Sequence, residues 1–196
     1  MNSSILRKAI INGELNVKLA DIYGNNAKVP CQRQRYADAI ELFEKYYGEG
    51  DISVFSAPGR SEIGGNHTDH QNGEVLAAAI NLDAIGIVKK TDDNVVKVRS
   101  DQYPEVVIDL TDVFIKEEEK GTTLSLIKGV LAGFVEQGLS VGGFCAYITS
   151  DVLIGAGLSS SAAFEVLIGT ILSGLYNDMD VSPILIARIG QYAENE

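Results

Sequence analysis

Residues 151–165 read Asp-Val-Leu-Ile-Gly-Ala-Gly-Leu-Ser-Ser-Ser-Ala-Ala-Phe-Glu, and no other stretch constrains the fold as much. An apolar run at 144–148 precedes it and a longer one at 162–176 follows. The order is strand, glycine-rich turn, buried helix. Gly155 and Gly157 have no Cβ to keep a ligand away from the backbone. A helix opening near Ser159, Ser160 and Ser161 would aim its unpaired N–H groups and its positive dipole end at one point. That is a ready site for an anion, phosphate above all. No Gly-Lys-Ser/Thr follows the glycines, so this is not a P-loop; the third glycine of a dinucleotide fingerprint is missing too.

A second polar motif lies upstream, at 57–70: Ala-Pro-Gly-Arg-Ser-Glu-Ile-Gly-Gly-Asn-His-Thr-Asp-His. Both histidines of the chain are here, with Arg60, Glu62 and Asp69. A zinc reading of His67, Asp69 and His70 matches no firm ligand spacing. The mixture of carboxylate acceptors with imidazole and guanidinium donors suits a polyhydroxylated ligand.

Composition narrows the field. With a net charge of −11, the chain lacks the basic stripe that a nucleic acid needs. The run at 162–176 contains Glu165 and is too short to cross a bilayer, so no membrane role is expected. Two lone cysteines, Cys31 and Cys145, and no apolar leader at the N-terminus point to a reducing, cytoplasmic setting.

Along the chain, helices are expected at 3–12, with Ile5, Leu6, Ala9 and Ile10 inward, and at 32–47, where Tyr36, Ile40, Phe43 and Tyr47 recur at helical spacing. A boundary at 48–51 separates this helical arm, 1–50, from a main domain, 51–196. Strands are expected at 52–56, 75–80, 84–89, 95–99, 106–110 and 144–150, with a polar loop at 57–72. A turn at 92–94 predicts a hairpin between 84–89 and 95–99. Helices follow at 124–137 and 162–176. A last helix opens at Ser182-Pro183, with Leu185, Ile186, Ile189 and Tyr192 inward. Strands first and helices after predict an α+β fold, a sheet covered by helices on one face. Ser125 and Lys128 match a Ser-x-x-Lys pattern by chance, since its companion motifs are missing.

The motif at 59–70 resembles the galactokinase signature Gly-Arg-x-Asn-x-Ile-Gly-Glu-His-x-Asp-Tyr. Residues 155–163 resemble the phosphate-binding motif of the wider superfamily that includes homoserine, mevalonate and phosphomevalonate kinases. The order and separation of the motifs agree, and so does the arm ahead of the shared domain. The resemblance implies the two-layer α/β N-terminal domain of that superfamily, of the ribosomal protein S5 domain 2-like type. It implies ATP and Mg²⁺ as cofactors and a sugar as substrate. Arg60 would stabilise the transferred phosphate. Glu62, Asn66, His67 and Asp69 would face the sugar. Gly155, Ala156, Gly157, Leu158, Ser159, Ser160 and Ser161 would cradle the ATP phosphates. Ser161 and Glu194, in the ending Gln-Tyr-Ala-Glu at 191–194, would hold the metal.

Four positions depart from the signature. Glu62 stands for asparagine, Gly64 for isoleucine, Asn66 for glutamate and His70 for tyrosine. A lost carboxylate acceptor alters which sugar hydroxyls are satisfied. The expected activity is therefore a hexose kinase, galactose first, with another sugar or a non-catalytic sugar sensor as alternatives. The chain stops inside its last helix, before the family's aspartate motif. It reads as an N-terminal piece, inactive alone and prone to self-association through an uncovered apolar face.

Overall fold

A computed structural model describes residues 1–65, 74–101, 103–114, 116–153, 155 and 157–195. Helices α1 (Ser3–Ile11), α2 (Asn16–Tyr23) and α3 (Val29–Tyr47) come first. Strands β1 (Ser53–Gly64), β2 (Leu76–Lys90), β3 (Val95–Ser100) and β4 (Val106–Asp109) follow, then α4 (Thr123–Glu136), β5 (Phe144–Ser150), α5 (Ser160–Tyr176) and α6 (Pro183–Asn195). The sheet order is β1-β2-β5-β3-β4, with β3 and β5 parallel and every other pair antiparallel.

The two central strands read as unbroken apolar runs because both of their faces are covered. Val88, Phe144, Ala146 and Ile148 pack with Phe134, Leu167 and Ile171 under α4 and α5. The alternate residues, Ile85, Ile87, Cys145 and Tyr147, pack with Tyr36, Ile40 and Phe43 of α3. Sheet plus α4–α6 is the expected two-layer unit. The expectation that helices cover one face is corrected, since the arm closes the other.

Four local readings are also corrected. The hairpin predicted between 84–89 and 95–99 does not form, because β5 lies between those strands. Gly143 makes the insertion possible: a Cβ there would stand 2.0 Å from the carbonyl oxygen of Asp93. The loop predicted from residue 57 is strand up to Gly64, paired with Leu76 to Ala84 of one long β2, with register shifts at 58/60 and 62/64. Alternation is weak there because this outer half of the hairpin is largely exposed. In α6 Ile186, Ile189 and Ala193 are buried and Leu185 packs partly buried against the core, while Tyr192 is exposed. In α1 Ile10 is buried and Ile5 exposed.

The Ser-x-x-Lys match is structural. Ser125 closes a capping box with Thr122, and Lys128 Nζ sits 2.9 Å from both carboxylate oxygens of Glu119. Cys145 is buried in β5, and burial pushes its thiol pKa up.

Candidate active site

The glycine-rich turn joins β5 to α5. Gly155 and Gly157 have φ of 75° and 71°, a left-handed backbone that a side chain disfavours. A Cβ at either would meet nothing within 4 Å, so the loop lies open on that side. Ser159 is also left-handed, with φ 56° and ψ 55°, and makes no side-chain cap on α5. By contrast Asn2 caps α1 and Thr122 caps α4. The first N–H groups of α5 are thus left for an outside acceptor, at the positive end of the helix dipole.

The two sequence motifs meet at this turn. The Arg60 N–H donates to the Leu158 carbonyl at 3.1 Å. A Cβ at Gly59 would stand 3.0 Å from that same oxygen and 3.0 Å from Cγ1 of Val152, so glycine lets β1 run against the turn. Arg60 is half-buried, and its Nε has no hydrogen-bond partner among the described residues. Glu62, opposite Ala77, lies on the same strand face as Arg60, opposite Ala79.

Helices α5 and α6 run antiparallel with a close register. Ser161 Oγ donates to Glu194 Oε1 at 2.6 Å. One turn along, a Cβ at Gly190 would stand 3.3 Å from both Cβ and Oε2 of Glu165. A further turn along, a Cβ at Gly169 would stand 2.6 Å from Cγ2 of Ile186. On its other side α6 lies on α4 through Gly129 against Ala193 and Gly133 against Ile189, each leaving 2.6 Å for a Cβ. Glycine at these contacts lets α6 settle onto both neighbours, which fixes where Glu194 meets Ser161.

Glu165 is buried, with 2% of its surface exposed, and its Oε1 has no hydrogen-bond partner among the described residues. Burial pushes its carboxyl pKa up to about 7, and the nearby charge of Glu194 adds to the effect. Sequence reading missed this group. An acid inside an apolar helical run, four residues after Ser161, was the available signal.

A second missed group anchors the turn from the other face of the sheet. Arg35 on α3 bonds to Asp83 Oδ1 at 2.7 Å, to the carbonyls of Asp83 and Thr149, and reaches Asp151 Oδ2 at 3.2 Å. Gln32 Nε2 donates to the same Asp151 oxygen. Asp83 Oδ2 accepts from Tyr23 and Ser56. The arm thereby holds Asp151, where the glycine-rich turn begins.

Of the residues predicted to form the site, the structure brings Gly155, Gly157, Leu158, Ser159, Ser160, Ser161 and Glu194 around the opening of α5, with Arg60 bonded to the turn. Ala156, Asn66, His67, Asp69 and His70 lie outside the described residues. Among the described residues no group of three or more His, Cys, Asp or Glu could hold a metal, and no helix is long and apolar enough to cross a membrane.

The fold is that of the N-terminal domain of GHMP kinases. Residues 125–196 match the family described as GHMP kinases N terminal domain, and residues 41–90 match the galactokinase galactose-binding signature. The chain is 37% identical over 155 residues to a galactokinase of Clostridium tetani, covering 79% of this chain and 39% of that protein. It is 39% identical over 140 residues to a galactokinase of Pyrococcus furiosus, covering 71% and 38%. The galactokinase of Lactococcus lactis, solved in complex with galactose, superposes with a TM-score of 0.72 at 29% identity, over 79% of this chain and 40% of that one. The mevalonate kinase of Methanococcus jannaschii shares the fold, with a TM-score of 0.62 at 20% identity over 74% and 47%. The two matched domains and these relatives are those of galactokinases and GHMP kinases. It spans about two fifths of the length of the curated relatives it matches.

Proposed function

We propose that the whole protein transfers the γ-phosphate of ATP to a hydroxyl of a hexose, galactose first. The observation that carries this is the Ser161–Glu194 contact at the uncapped start of α5, beside a turn with two left-handed glycines. Backbone N–H groups there can bind phosphate in a protein of net charge −11 without a lysine cluster. The donor set fits Mg²⁺, a hard cation that takes oxygen ligands and is usually held by one or two carboxylates together with substrate phosphates. Ser161 and Glu194 would be its protein ligands. When bound, the cation would supply charge neutralisation on the phosphates.

The rest is positioning. Gly155, Ala156, Gly157, Leu158, Ser159, Ser160 and Ser161 hold the phosphates. Arg60, fixed to the turn through its own backbone, presents positive charge to the phosphate in transfer. Glu62, Asn66, His67 and Asp69 read the sugar hydroxyls. Residues 1–50 form the arm that steadies the turn and residues 51–196 the N-terminal kinase domain.

The test is a kinase assay of the whole protein over a panel of hexoses, with Arg60→Ala and Asn66→Glu. Arg60→Ala lowers turnover about 10²-fold or more for every sugar, as loss of one transition-state donor does. Asn66→Glu shifts the preference between sugars. Sugar binding with no turnover on any hexose would mark a sensor and overturn the kinase reading.

A further inference from the structure

The kinase reading leaves Glu165 without a task. Native proteins satisfy almost all of their buried polar groups, and a buried carboxyl without partners costs stability. Yet Glu165 Oε1 is buried with no hydrogen-bond partner among the described residues. Such breaches of the folding rules are expected at functional sites.

Its position indicates the function. Glu165 shares a helix face with Ser161, four residues earlier, and lies about 6 Å further along α5. Across from it α6 offers Gly190, one turn before Glu194. Glycine there puts no side chain between Glu165 and Glu194. Side chains lean toward the start of their own helix. Glu165 therefore leans toward the Ser161 turn, and Glu194 leans back toward Glu165. A direct Mg²⁺ ligand must come within about 2.1 Å, and Mg²⁺ keeps several of its waters. A carboxyl one turn below the Ser161–Glu194 pair is placed to reach those waters, not the ion itself.

We infer that Glu165 is a positioning residue of the divalent-cation site, an outer carboxylate that accepts hydrogen bonds from the cation's water ligands and holds them in register with Glu194. This rests on the reading of Ser161 and Glu194 as the cation's protein ligands. Outer partners of this kind are commonly worth 10–100-fold in metal affinity.

The test uses Mn²⁺ in place of Mg²⁺, with free Mn²⁺ counted by electron paramagnetic resonance at pH 8, with and without a non-hydrolysable ATP analogue. Wild type, Glu165→Gln, Glu165→Asp, Ser161→Ala and Glu194→Gln are compared. The expected result is that Glu165→Gln binds Mn²⁺ about 10–100-fold more weakly, while its Tm in EDTA equals or exceeds that of wild type. A purely structural Glu165 would leave affinity unchanged. Equal affinity of Glu165→Gln and wild type, with Glu194→Gln still impaired, overturns the inference and spares the ligand reading. Wild-type affinity in both Ser161→Ala and Glu194→Gln, or no Mn²⁺ binding by wild type, removes the ligand reading and the inference with it. If Glu165→Gln does not fold, Glu165→Asp decides, since it keeps the charge but draws it back by one methylene. An affinity within about twofold of wild type then overturns the inference, and a larger loss supports it.

Discussion

Asp83 and Glu165 are both buried carboxyls, 3% and 2% exposed, on opposite faces of one sheet. Asp83 is surrounded: Arg35, Tyr23 and Ser56 all bond to it. Glu165 stands beside another acid, with Oε1 unbonded among the described residues. The same functional group thus serves two ends. On the arm side it ties α3, β1 and β2 into one unit and steadies the start of the glycine-rich turn. On the α5–α6 side it is left under the Ser161–Glu194 pair, at a cost that a bound cation would offset. A buried acid with partners holds structure together; the one without them is, on our proposal, kept for a ligand.

The sharpest break of this contrast is Arg35→Ala. It leaves Asp83 buried with its charge uncompensated and should destabilise the chain by about 3–5 kcal/mol. Urea unfolding measures this. A loss under about 1 kcal/mol would mean that the clamp does not hold the arm to the sheet.

Glu165 should show its different character through pH. Its ordinary pKa is 4.5 and its folded pKa about 7. Between those values the folded chain keeps a proton that the unfolded chain has released. Stability from this group is therefore full below pH about 4.5 and is lost as pH rises through about 7, by up to about 3 kcal/mol. Glu165→Gln should remove this fall. Unfolding curves of both proteins across that window, without metal, decide it. An unchanged slope in the variant would assign the pH dependence elsewhere.

Gly129→Ala tests how the Ser161–Glu194 contact is set. The added methyl would stand 2.6 Å from the Ala193 Cβ. Overpacking of this kind costs about 1–3 kcal/mol. It should also move α6 and weaken cation binding, although Gly129 touches neither ligand. Unchanged Mn²⁺ affinity in a destabilised variant would separate helix packing from the site.

The smallest effects compare two helix starts. Thr122 caps α4, so Thr122→Ala should cost about 1 kcal/mol. Ser159 makes no cap on α5, so Ser159→Ala should stay within about 0.5 kcal/mol. Equal losses in thermal unfolding would show that α5 is capped like any other helix.

Sequence reading found what depends on local chemistry. The turn before α5, the Ser182 cap of α6 and the buried run of α5 follow from glycine, serine, proline and apolar periodicity, and all are present. Ser161 and Glu194, which the family resemblance makes metal ligands, lie within hydrogen-bond distance of each other. What was missed depends on distant parts of the chain. Nothing local tells that β5 separates β2 from β3, or that Arg35 reaches Asp83 and Asp151. Tyr192 was read as inward together with Leu185, Ile186 and Ile189, but it is exposed, and Ala193 is the residue that lies against Gly129.

On the proposed function, the α5–α6 side of the sheet binds a nucleotide through backbone donors and a cation. Calorimetry with a non-hydrolysable ATP analogue, with and without Mg²⁺, tests it on wild type, Ser161→Ala and Thr122→Ala. The expected result is binding that strengthens at least tenfold with Mg²⁺ in wild type and in Thr122→Ala, and loses that Mg²⁺ dependence in Ser161→Ala. Mg²⁺-dependent binding that survives unchanged in Ser161→Ala would contradict it.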